Sequence, residues 1–268
     1  MIRNVKAALR DALPAHLQVP VKYWYSAFRG HLEPELAVLD LLVARGDHVI
    51  DVGGNRGIYA YRLTELGAHV EVFEPNPSCL LVLQLWAATQ RNVIVHGVAL
   101  SSTSGKAQLT IPVGPDGVEH DSSGSLENRS DHGSFITASV DIRSLDSFGF
   151  TNTSLIKIDV EGHEYQVIEG ATETLKESSP ALIVEIEQRH ISRPIEEVFN
   201  LIVDRGYRGF FLDGKCMASL DRFDLSVHQS IGGALDLGSG YRNNFLFFDC
   251  AKLDRGDYCR LFEARPLA

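Results

Sequence analysis

The stretch Val49-Ile50-Asp51-Val52-Gly53-Gly54-Asn55-Arg56-Gly57 decides the fold of this chain. An apolar run ends in an acid, a short glycine-rich turn follows, and a helix-like segment continues from it. A second apolar run, residues 70–77 with the sequence Val-Glu-Val-Phe-Glu-Pro-Asn-Pro, also ends in an acid, Glu74. Together the two runs predict a strand, a ligand-binding turn, a helix and a second strand.

The spacing of glycines and acids predicts a ligand that contains adenosine. Gly53 and Gly57 let the backbone approach a ligand where a side chain would block it. Glu74, at the tip of the second strand, is placed to accept hydrogen bonds from both hydroxyls of a ribose. We therefore expect the first half of the chain to hold a nucleoside.

The turn lacks the spacing of a dinucleotide-binding fingerprint, Gly-x-Gly-x-x-Gly. Asn55 stands where the second glycine belongs and Ile58 where the third belongs, so the pyrophosphate seat at the helix N-terminus is lost. An acid before the first glycine suits a ligand with a positive amine better than an anion. The pattern favours S-adenosylmethionine over NAD, and the remaining alternative is a strand-turn-helix that binds no ligand.

Composition is typical of a soluble globular protein. The 268 residues allow one large domain, alone or with an extension, and 44% hydrophobic residues suffice for a sizeable core. No apolar run is long enough to cross a bilayer and no secretory leader is recognisable, so we expect a cytoplasmic protein without a membrane span. The net charge of −10 disfavours a nucleic-acid partner. The four cysteines share no Cys-x-x-Cys spacing, and we expect no metal site.

Strands and helices alternate through the middle of the chain. Beyond the two strands already described, strands are predicted at 92–96, 106–113, 135–142, 155–160, 181–186, 207–213 and 244–250. Helices are predicted at 35–44, 77–91, 143–148, 161–176 and 194–204. This alternation predicts a mostly parallel sheet covered by helices on both faces. Ligands lie at the carboxyl ends of such strands, and the acids predicted there are Asp51, Glu74, Asp159 and Glu185.

We divide the chain into an N-terminal helical extension (1–45), a main domain (46–250) and a C-terminal tail (251–268). Within the main domain, residues 114–134 are rich in glycine and serine. A long segment of this kind predicts either a lid that orders over the substrate or a disordered insert.

In the extension, residues 1–17 have the spacing of an amphipathic helix, which Pro14 and Pro20 are expected to interrupt. An aromatic cluster follows. We interpret it as a packing plug against the main domain, as one wall of the substrate pocket, or as a subunit contact in a homo-oligomer. The cluster consists of Tyr23, Trp24, Tyr25 and Phe28.

Three motifs carry a family resemblance: Asp51-Val-Gly-Gly-Asn-Arg-Gly57, Phe73-Glu-Pro-Asn-Pro77 and Leu155-Ile-Lys-Ile-Asp-Val-Glu-Gly-His-Glu164. With Ser144-Leu-Asp146 and Val184-Glu185 on either side of the third motif, the chain resembles the FkbM family of S-adenosylmethionine-dependent methyltransferases. The resemblance implies the Rossmann-like class I methyltransferase fold, with seven strands of which the last is antiparallel. It also implies O-methylation of a sugar, a saccharide, a glycosylated metabolite or a polyketide-like small molecule.

The resemblance implies roles in a cofactor site. Asp51 and Gly53 would bracket the methionine part of S-adenosyl-L-methionine. Glu74 would take the ribose hydroxyls, Asn76 would lie near the adenine edge, and Ala99 would form part of the adenine wall. The residues expected to bind the cofactor are Asp51, Gly53, Asn55, Gly57, Glu74, Asn76, Ala99 and Asp159.

Two positions depart from the family pattern. Position 54 is glycine where the family often has alanine, a small change that should keep the turn. Position 163 is histidine where the family often has alanine. His163 is therefore either an additional base or a neutral surface residue at the start of a helix.

Methyl transfer to an alcohol needs a positioned oxygen and a base that removes the hydroxyl proton. The leading base is His163 or Glu161, since histidine titrates near neutral pH and Glu161 belongs to the third motif. Asp159 is expected to position the cofactor amine or the substrate. An alternative is Mg²⁺ held by Asp159 and Glu185. The candidate catalytic residues are Asp159, Glu161, His163 and Glu185, and His190 is a further candidate base.

Three other functions compete with this interpretation. RNA ribose methyltransferases commonly use a Lys-Asp-Lys-Glu set, and Glu185-Ile-Glu187 stands where the second lysine is expected. A non-catalytic cofactor-binding module would use the same turn without a base. An NAD oxidoreductase would need the fingerprint that the turn lacks. We expect a small-molecule or saccharide acceptor as the partner.

Overall fold

A computed structural model describes residues 13–114, 124–127, 134–230 and 240–263 of the chain. Helices and strands alternate within these ranges. The α-helices are α1 (Ala15–Phe28), α2 (Leu39–Leu42), α3 (Ile58–Glu65), α4 (Pro77–Ala87), α5 (Glu164–Glu169), α6 (Thr172–Ser178), α7 (Ile195–Val203), α8 (Leu225–His228), α9 (Cys250–Asp254) and α10 (Cys259–Phe262). Short 3₁₀ helices are Pro34–Val38, Leu145–Phe148, Gln188–His190 and Leu220–Arg222.

The strands form two sheets. They are β1 (His48–Val52), β2 (His69–Phe73), β3 (Val93–His96), β4 (Ala99–Leu100), β5 (Gly105–Val113), β6 (Ser134–Arg143), β7 (Thr153–Ile158), β8 (Ala181–Glu185), β9 (Tyr207–Asp213), β10 (Cys216–Ser219) and β11 (Asn244–Asp249). The main sheet has the order β10-β9-β11-β8-β7-β1-β2-β3, and the smaller sheet has the order β4-β6-β5.

The main sheet confirms the predicted mostly parallel fold and corrects its strand number. β1 pairs in parallel with β2 and β7, and β7 pairs in parallel with β8. β11, the last strand, runs antiparallel to β8 and β9, as the family resemblance implies. Among the described residues the sheet has eight strands rather than seven, because β10 turns back at Gly214 and pairs antiparallel with β9 at the edge.

The central strands are apolar because both faces of the sheet are covered. On one face, Val49 of β1 and Leu155 of β7 pack in a core with the helices α1, α3 and α4. On the other face, Ile50 and Ile156 pack in a second core with α5, α6 and α7. The alternation of side chains along each strand explains why neighbouring residues enter opposite cores.

The N-terminal helix corrects one prediction. Pro20 lies inside α1, which runs from Ala15 to Phe28, so it does not interrupt that helix. Val19 and Tyr23 of α1 are buried against the main domain, whereas Trp24 and Phe28 are exposed. Only part of the aromatic cluster is therefore a packing plug. The predicted helix over 1–17 lies mostly outside the described residues.

The predicted helix at 161–176 is two helices, α5 and α6, separated at Gly170 and Ala171. It begins late because Glu161 (φ +55°) and Gly162 (φ +108°) have left-handed backbones that no helix can include. The predicted helix at 35–44 is a 3₁₀ turn followed by the short helix α2.

Residues 124–127 of the predicted 114–134 lid belong to the described part. Ser125 pairs with Thr110 of β5 in an antiparallel bridge, and Ser125 is 1% exposed. Residues 115–123 and 128–133 lie outside the described ranges, so the lid stays a prediction. In the part of the chain that can be described, no helix combines the length and apolarity needed to cross a membrane.

Ile156→Ala is expected to destabilise the protein strongly, because Ile156 is 1% exposed in the centre of the sheet. Truncation of a buried isoleucine leaves a cavity and costs about 2–5 kcal/mol of the free energy of unfolding. Urea denaturation measures this difference. Ile94→Ala, at a position that is 56% exposed on β3, is the matched control and should cost less than about 1 kcal/mol. Equal effects of the two substitutions would contradict the assignment of β7 to the core.

Candidate functional site

The glycine turn after β1 has a backbone that a side chain would disrupt. Gly53 has φ +80°, and a Cβ there would lie 1.8 Å from the carbonyl oxygen of Asp159. The Gly53 amide donates a 2.9 Å hydrogen bond to the carbonyl of Phe73, and the Asp159 amide donates a 3.0 Å bond to the carbonyl of Val52. The turn therefore joins the carboxyl ends of β1, β2 and β7, and glycine is required at its first position.

Glu74, which follows β2, stabilises the same turn by accepting backbone hydrogen bonds from it. One of its carboxylate oxygens accepts from the backbone N–H of Asn55 at 2.6 Å, and the other from the backbone N–H of Asn76 at 2.7 Å. Burial raises the pKa of Glu74 to about 7, against the lowering effect of these two hydrogen bonds. Each carboxylate oxygen has a second lone pair, so Glu74 can also accept hydrogen bonds from a ligand.

A first cleft runs along the turn and is partly open to solvent. Val98 and, from the smaller sheet, Leu100 and Leu109 form its apolar wall. The cleft brings together most of the residues predicted from the sequence. The predicted residues that line it are Gly53, Asn55, Glu74, Asn76, Ala99, Asp159, Glu161 and His163.

A second cleft continues on the other side of the turn. It shares Gly53, Asn55 and Asp159 with the first cleft, so one extended ligand can occupy both. The other residues that line it are Lys22, Glu33, Asp51, Gly54, Arg56, Ile58, Tyr59 and Lys157.

Among the residues predicted to bind the cofactor, Gly57 alone lines neither the first nor the second cleft. It begins α3 with φ +77°, and a Cβ there would lie 2.9 Å from the side chain of Val19. Its close neighbour is therefore α1, and its contribution to the site is the shape of the turn.

A third cleft lies beside the end of β8 and has about 930 Å³ of empty space. It contains Glu185, whose carboxylate accepts a 2.8 Å hydrogen bond from the side-chain amide of Asn243. Glu33 lines both the second and the third cleft and so connects them. The other lining residues are Pro34, Glu35, Leu212, Gly214, Gly240, Tyr241, Arg242 and Asn244.

Two donors from distant parts of the chain hold Glu33. The hydroxyl of Tyr59 donates a 2.7 Å hydrogen bond and the side-chain amide of Asn244 donates one of 3.2 Å, both to Oε2. No donor from the described ranges binds Oε1, which leaves that oxygen for a ligand. Glu33 is thus a fixed carboxylate at the junction of two clefts.

Lys157 lies beneath this junction and is 1% exposed. Its Nζ is 3.7 Å from Oδ2 of Asp159 and 5.0 Å from the centre of the Tyr59 ring. Burial opposes the charge of this lysine, but the carboxylates of Asp159, Glu33 and Glu185 outweigh burial and raise its pKa above the ordinary value. Lys157 therefore stays positive, and its charge interacts with several carboxylates at once.

The acids around Lys157 are short of positive partners. Burial raises the pKa of Asp51 to about 7 and that of Asp159 to about 6, in both cases against the lowering effect of Lys157. Burial and the nearby Asp159 raise the pKa of Glu185 well above its ordinary value. Oδ2 of Asp51 is buried and has no hydrogen-bond partner in the described structure. A cationic ligand would relieve this excess of negative charge.

His163 is engaged on both sides of its ring. Nδ1 is 2.7 Å from Oε1 of Glu127, and Nε2 is 3.0 Å from the hydroxyl of Ser101. The side chain is 12% exposed, so it is not a surface residue. Through these contacts His163 links residues 124–127 to the wall of the first cleft. To accept a proton from a substrate, its ring would have to give up one of the two hydrogen bonds.

Glu161 and His190 form a pair in which Oε2 of Glu161 is 3.0 Å from Nδ1 of His190. The backbone carbonyl of Glu161 accepts a 2.7 Å hydrogen bond from the hydroxyl of Ser125. These contacts place both candidate bases at one end of the third motif. Glu161 lines the first cleft, whereas Glu185 lines the third.

The Mg²⁺ alternative rests on Asp159 and Glu185 alone. Within the described ranges, no group of three or more His, Cys, Asp or Glu side chains is arranged to hold a metal ion. A metal at these two acids would therefore need most of its ligands from water and the substrate.

Sequence reasoning did not identify four side chains of the site: Lys157, Glu33, Tyr59 and Asn244. Lys157 gave a usable signal, because a lysine inside an otherwise apolar strand is seldom buried without carboxylate partners. Glu33, Tyr59 and Asn244 gave none, since they come from separate segments and meet only through the tertiary fold.

The profile of the methyltransferase FkbM domain matches residues 51–208 of the chain. The structure is similar to that of the methyltransferase FkbM from Methylobacillus flagellatus KT, with a TM-score of 0.50 and 17% sequence identity. The match covers 92% of this chain and 59% of that one. The chain thus spans about three fifths of the length of this relative.

Two further solved structures match the chain at lower TM-scores. Precorrin-6y C5,15-methyltransferase from Geobacter metallireducens GS-15 has a TM-score of 0.43 and 10% identity, over 81% of this chain and 88% of that one. Fibrillarin from Aeropyrum pernix, solved with natively bound S-adenosyl-L-methionine, has a TM-score of 0.43 and 10% identity, over 80% and 73%. No curated protein matches the chain.

Asp51→Asn is expected to stabilise the ligand-free protein above the folded pKa of about 7. The same carboxyl has a pKa of about 3.9 in an unfolded chain. Between these values the folded state keeps a proton that the unfolded state has lost, so the contribution of Asp51 to the free energy of unfolding falls as pH rises. Asparagine removes this dependence, and thermal denaturation across the range from about pH 5 to pH 8 measures it.

The control is Asp221→Asn, at an exposed position, which should leave the melting temperature unchanged at every pH. A variant D51N that melts below the unmodified protein at the alkaline end of the range would contradict the interpretation of Asp51 as a carboxylate short of positive charge.

Proposed function

The chain belongs to the FkbM methyltransferase family, and we propose that it transfers the methyl group of S-adenosyl-L-methionine to a hydroxyl oxygen of a saccharide or glycosylated metabolite. The family and the class I methyltransferase fold identify the cofactor as S-adenosyl-L-methionine. The acceptor and the atom methylated are part of the proposal. The single observation that carries it is the series of three clefts at the carboxyl ends of the central strands, the first two sharing the glycine turn and the third sharing Glu33 with the second.

The residues of the first two clefts fit the cofactor. Asp51 Oδ2 and Asn76 Nδ2 are buried polar atoms without a partner in the described structure, an acceptor and a donor that a ligand can satisfy. The close approach at Gly53 provides a cradle that any Cβ would fill. We assign the adenosine to the first cleft, beside Glu74, and the methionine end to the second cleft.

Charge supports this orientation. The methionine end carries an ammonium, and the adjacent sulfonium is also positive. The second cleft has the acids Asp51, Asp159 and Glu33. Of the cations that line it, Lys157 is buried among these acids, whereas Lys22 and Arg56 are half-buried. These acids favour a cationic ligand and disfavour a pyrophosphate, which supports S-adenosyl-L-methionine over NAD.

When bound, S-adenosyl-L-methionine supplies a methyl group activated by a positive sulfur. The chain must hold the acceptor hydroxyl in line with that methyl and take up its proton. Held by Asp51, Glu74 and Asn76, the cofactor would supply the methyl carbon to the hydroxyl oxygen, with the carbon–sulfur bond breaking as the carbon–oxygen bond forms and S-adenosylhomocysteine as the leaving group. The released proton goes to a carboxylate of the chain.

We assign the base to Asp159. It lines both clefts that would hold the cofactor, and its pKa of about 6 leaves it ionised near neutral pH. Lys157 keeps it in place at 3.7 Å. Glu185, whose pKa is raised further, is suited to hold a proton and donate a hydrogen bond to the acceptor. Glu161 and His163 are assigned a positioning role, since each already has a partner in the wall of the first cleft.

The third cleft supports a neutral, hydroxyl-rich acceptor. Glu185, Asn243 and Asn244 offer oxygen and amide groups that pair with hydroxyls, and Tyr241 adds a ring and a hydroxyl. The acids at this edge would repel a polyanion such as RNA. A polyketide-like acceptor stays an alternative, because a hydroxyl on an otherwise apolar molecule could also reach Asp159.

The proposed reaction is tested by incubating the protein with S-adenosyl-L-methionine labelled in the methyl group. Mono- and oligosaccharides and glycosylated metabolites are compared with their aglycones and with RNA. Label in an alkali-stable ether on the sugar is the expected result. Asp159→Asn should abolish turnover while binding of S-adenosylhomocysteine persists. Cofactor binding without transfer to any of these acceptors would favour the non-catalytic module instead.

Glu33→Gln is expected to weaken binding of S-adenosylhomocysteine at least about tenfold, because a carboxylate paired with an ammonium contributes more than a neutral amide. Binding of 5′-methylthioadenosine, which lacks the ammonium and carboxylate of methionine, should not change. Glutamine keeps an oxygen for the Tyr59 hydroxyl, so the fold is preserved. Isothermal titration calorimetry measures both affinities.

The matched control for this comparison is Glu197→Gln on α7. The side chain of Glu197 is about half exposed and lines none of the three clefts. An equal loss for the two ligands would show that Glu33 acts on the shape of the site. No loss for either ligand would remove Glu33 from the methionine end.

A further inference from the structure

Helix α1 exposes a stripe of large apolar side chains. Phe28 is 89% exposed, Trp24 61%, Val21 43% and Leu17 41%. These residues follow one another at intervals of three and four, so they lie on one face of the helix. Val19 and Tyr23 on the opposite face are buried in the core. The helix is thus apolar on two sides, and only one of them is used by the fold.

Helix α4 continues this apolar surface. Leu81 is 59% exposed and Leu85 44%, one helical turn apart. α1 packs against α4, and a shallow groove between the start of α1 and the end of α4 is lined by Ala15, His16, Leu85 and Thr89. We call the exposed side of these two helices the α1–α4 face. Contiguous apolar patches of this kind mark interaction sites more often than isolated exposed leucines do.

The charge of the α1–α4 face is opposite to that of the whole protein. The chain contains 35 acidic residues and has a net charge of −10, yet neither helix contains an aspartate or a glutamate. Arg29 follows the end of α1 and Arg91 lies shortly after α4, and both are exposed. The acids Asp40 and Glu65 act on the hydroxyl of Tyr23, which belongs to the buried side of α1.

We propose that the α1–α4 face docks on an anionic phospholipid surface. A helix with exposed Trp and Phe on one face and cationic residues beside them is the pattern of a segment that lies in the membrane interface. Exposed aromatic rings enter the headgroup region, and arginines pair with anionic headgroups at about 1 kcal/mol each. This docking is independent of the proposed reaction and of the identity of its acceptor.

A second copy of the chain is the other occupant that such a face could take, and the charges disfavour it. Two copies joined through this face would bring Arg29 and Arg91 of each together without a carboxylate from either helix to pair with them. Anionic headgroups supply that missing charge. The lipid surface is therefore the occupant that complements both the apolar stripe and the arginines.

The experiment is co-sedimentation of the full chain with vesicles of phosphatidylcholine alone and of phosphatidylcholine with phosphatidylglycerol. Binding is expected only where phosphatidylglycerol is present, and it should weaken at high salt. The double variant Trp24→Ala/Phe28→Ala should reduce the vesicle-bound fraction about tenfold, since two aromatic rings lose their apolar contact. Arg29→Gln should reduce it about fivefold, the equivalent of one basic residue.

The matched control is Phe135→Ala, which removes an aromatic ring that is 57% exposed on β6 in the smaller sheet. It should bind vesicles as the unmodified protein does. Circular dichroism and S-adenosylhomocysteine binding verify that each variant is folded. Absence of binding at every lipid composition would overturn the proposal. So would a dimer in solution that Trp24→Ala/Phe28→Ala dissociates while vesicles are ignored, since the face would then be a subunit interface.

Discussion

The close approach of Gly53 to the carbonyl oxygen of Asp159 is the constraint on which the site depends. Because no side chain fits between them, the ends of β1 and β7 are joined through their backbones. The carbonyl of Phe73 adds the end of β2 to the same joint. The framework of the cleft is therefore made of peptide groups, and the side chains at the strand ends are left to interact with ligands.

Those side chains are mainly acids, and this has a thermodynamic consequence. Asp51 and Glu74 are buried and Asp159 is half-buried, Lys157 is the buried cation beside them, and desolvation raises the pKa of all three acids. We therefore expect the ligand-free protein to be less stable near neutral pH than it would be with neutral side chains at these positions. A site of this kind lowers the free energy of unfolding of the ligand-free protein and raises the affinity for a positively charged ligand, a trade-off seen in many active sites.

The parts of the fold encoded locally could be predicted from the sequence. The strands around Asp51, Glu74 and Asp159 follow from apolar runs that end in an acid, and their positions at one edge follow from parallel pairing. Pro20 misled the prediction, because it is the sixth residue of α1, past the first turn where proline is tolerated, and the helix nevertheless continues through it to Phe28. The smaller strand β10 and the carboxylate of Glu33 could not be found, since each depends on contacts with segments far away in the chain.

His163 shows the limit of motif reasoning at a single position. Its place in the third motif indicated either a base or a neutral surface residue, and only the structure shows that Glu127 and Ser101 contact both ring nitrogens. A histidine side chain looks the same in a sequence whether it transfers protons or fastens a loop. The distinction comes from its partners, and Glu127 belongs to an insert whose path no local pattern predicts.

The hydrogen bond between Glu33 and Asn244 spans 211 positions of the chain. Both residues lie outside the segment 51–208 that carries the family signature. The flanking regions thus meet at Glu33, where the second and third clefts join. A chimera that exchanges only residues 51–208 with a relative would keep Glu33 and Asn244 but replace Tyr59, which also holds Glu33. The junction of the two clefts would then combine side chains from both parents, so the margins of the signature segment are the part of the chain to match when such hybrids are designed.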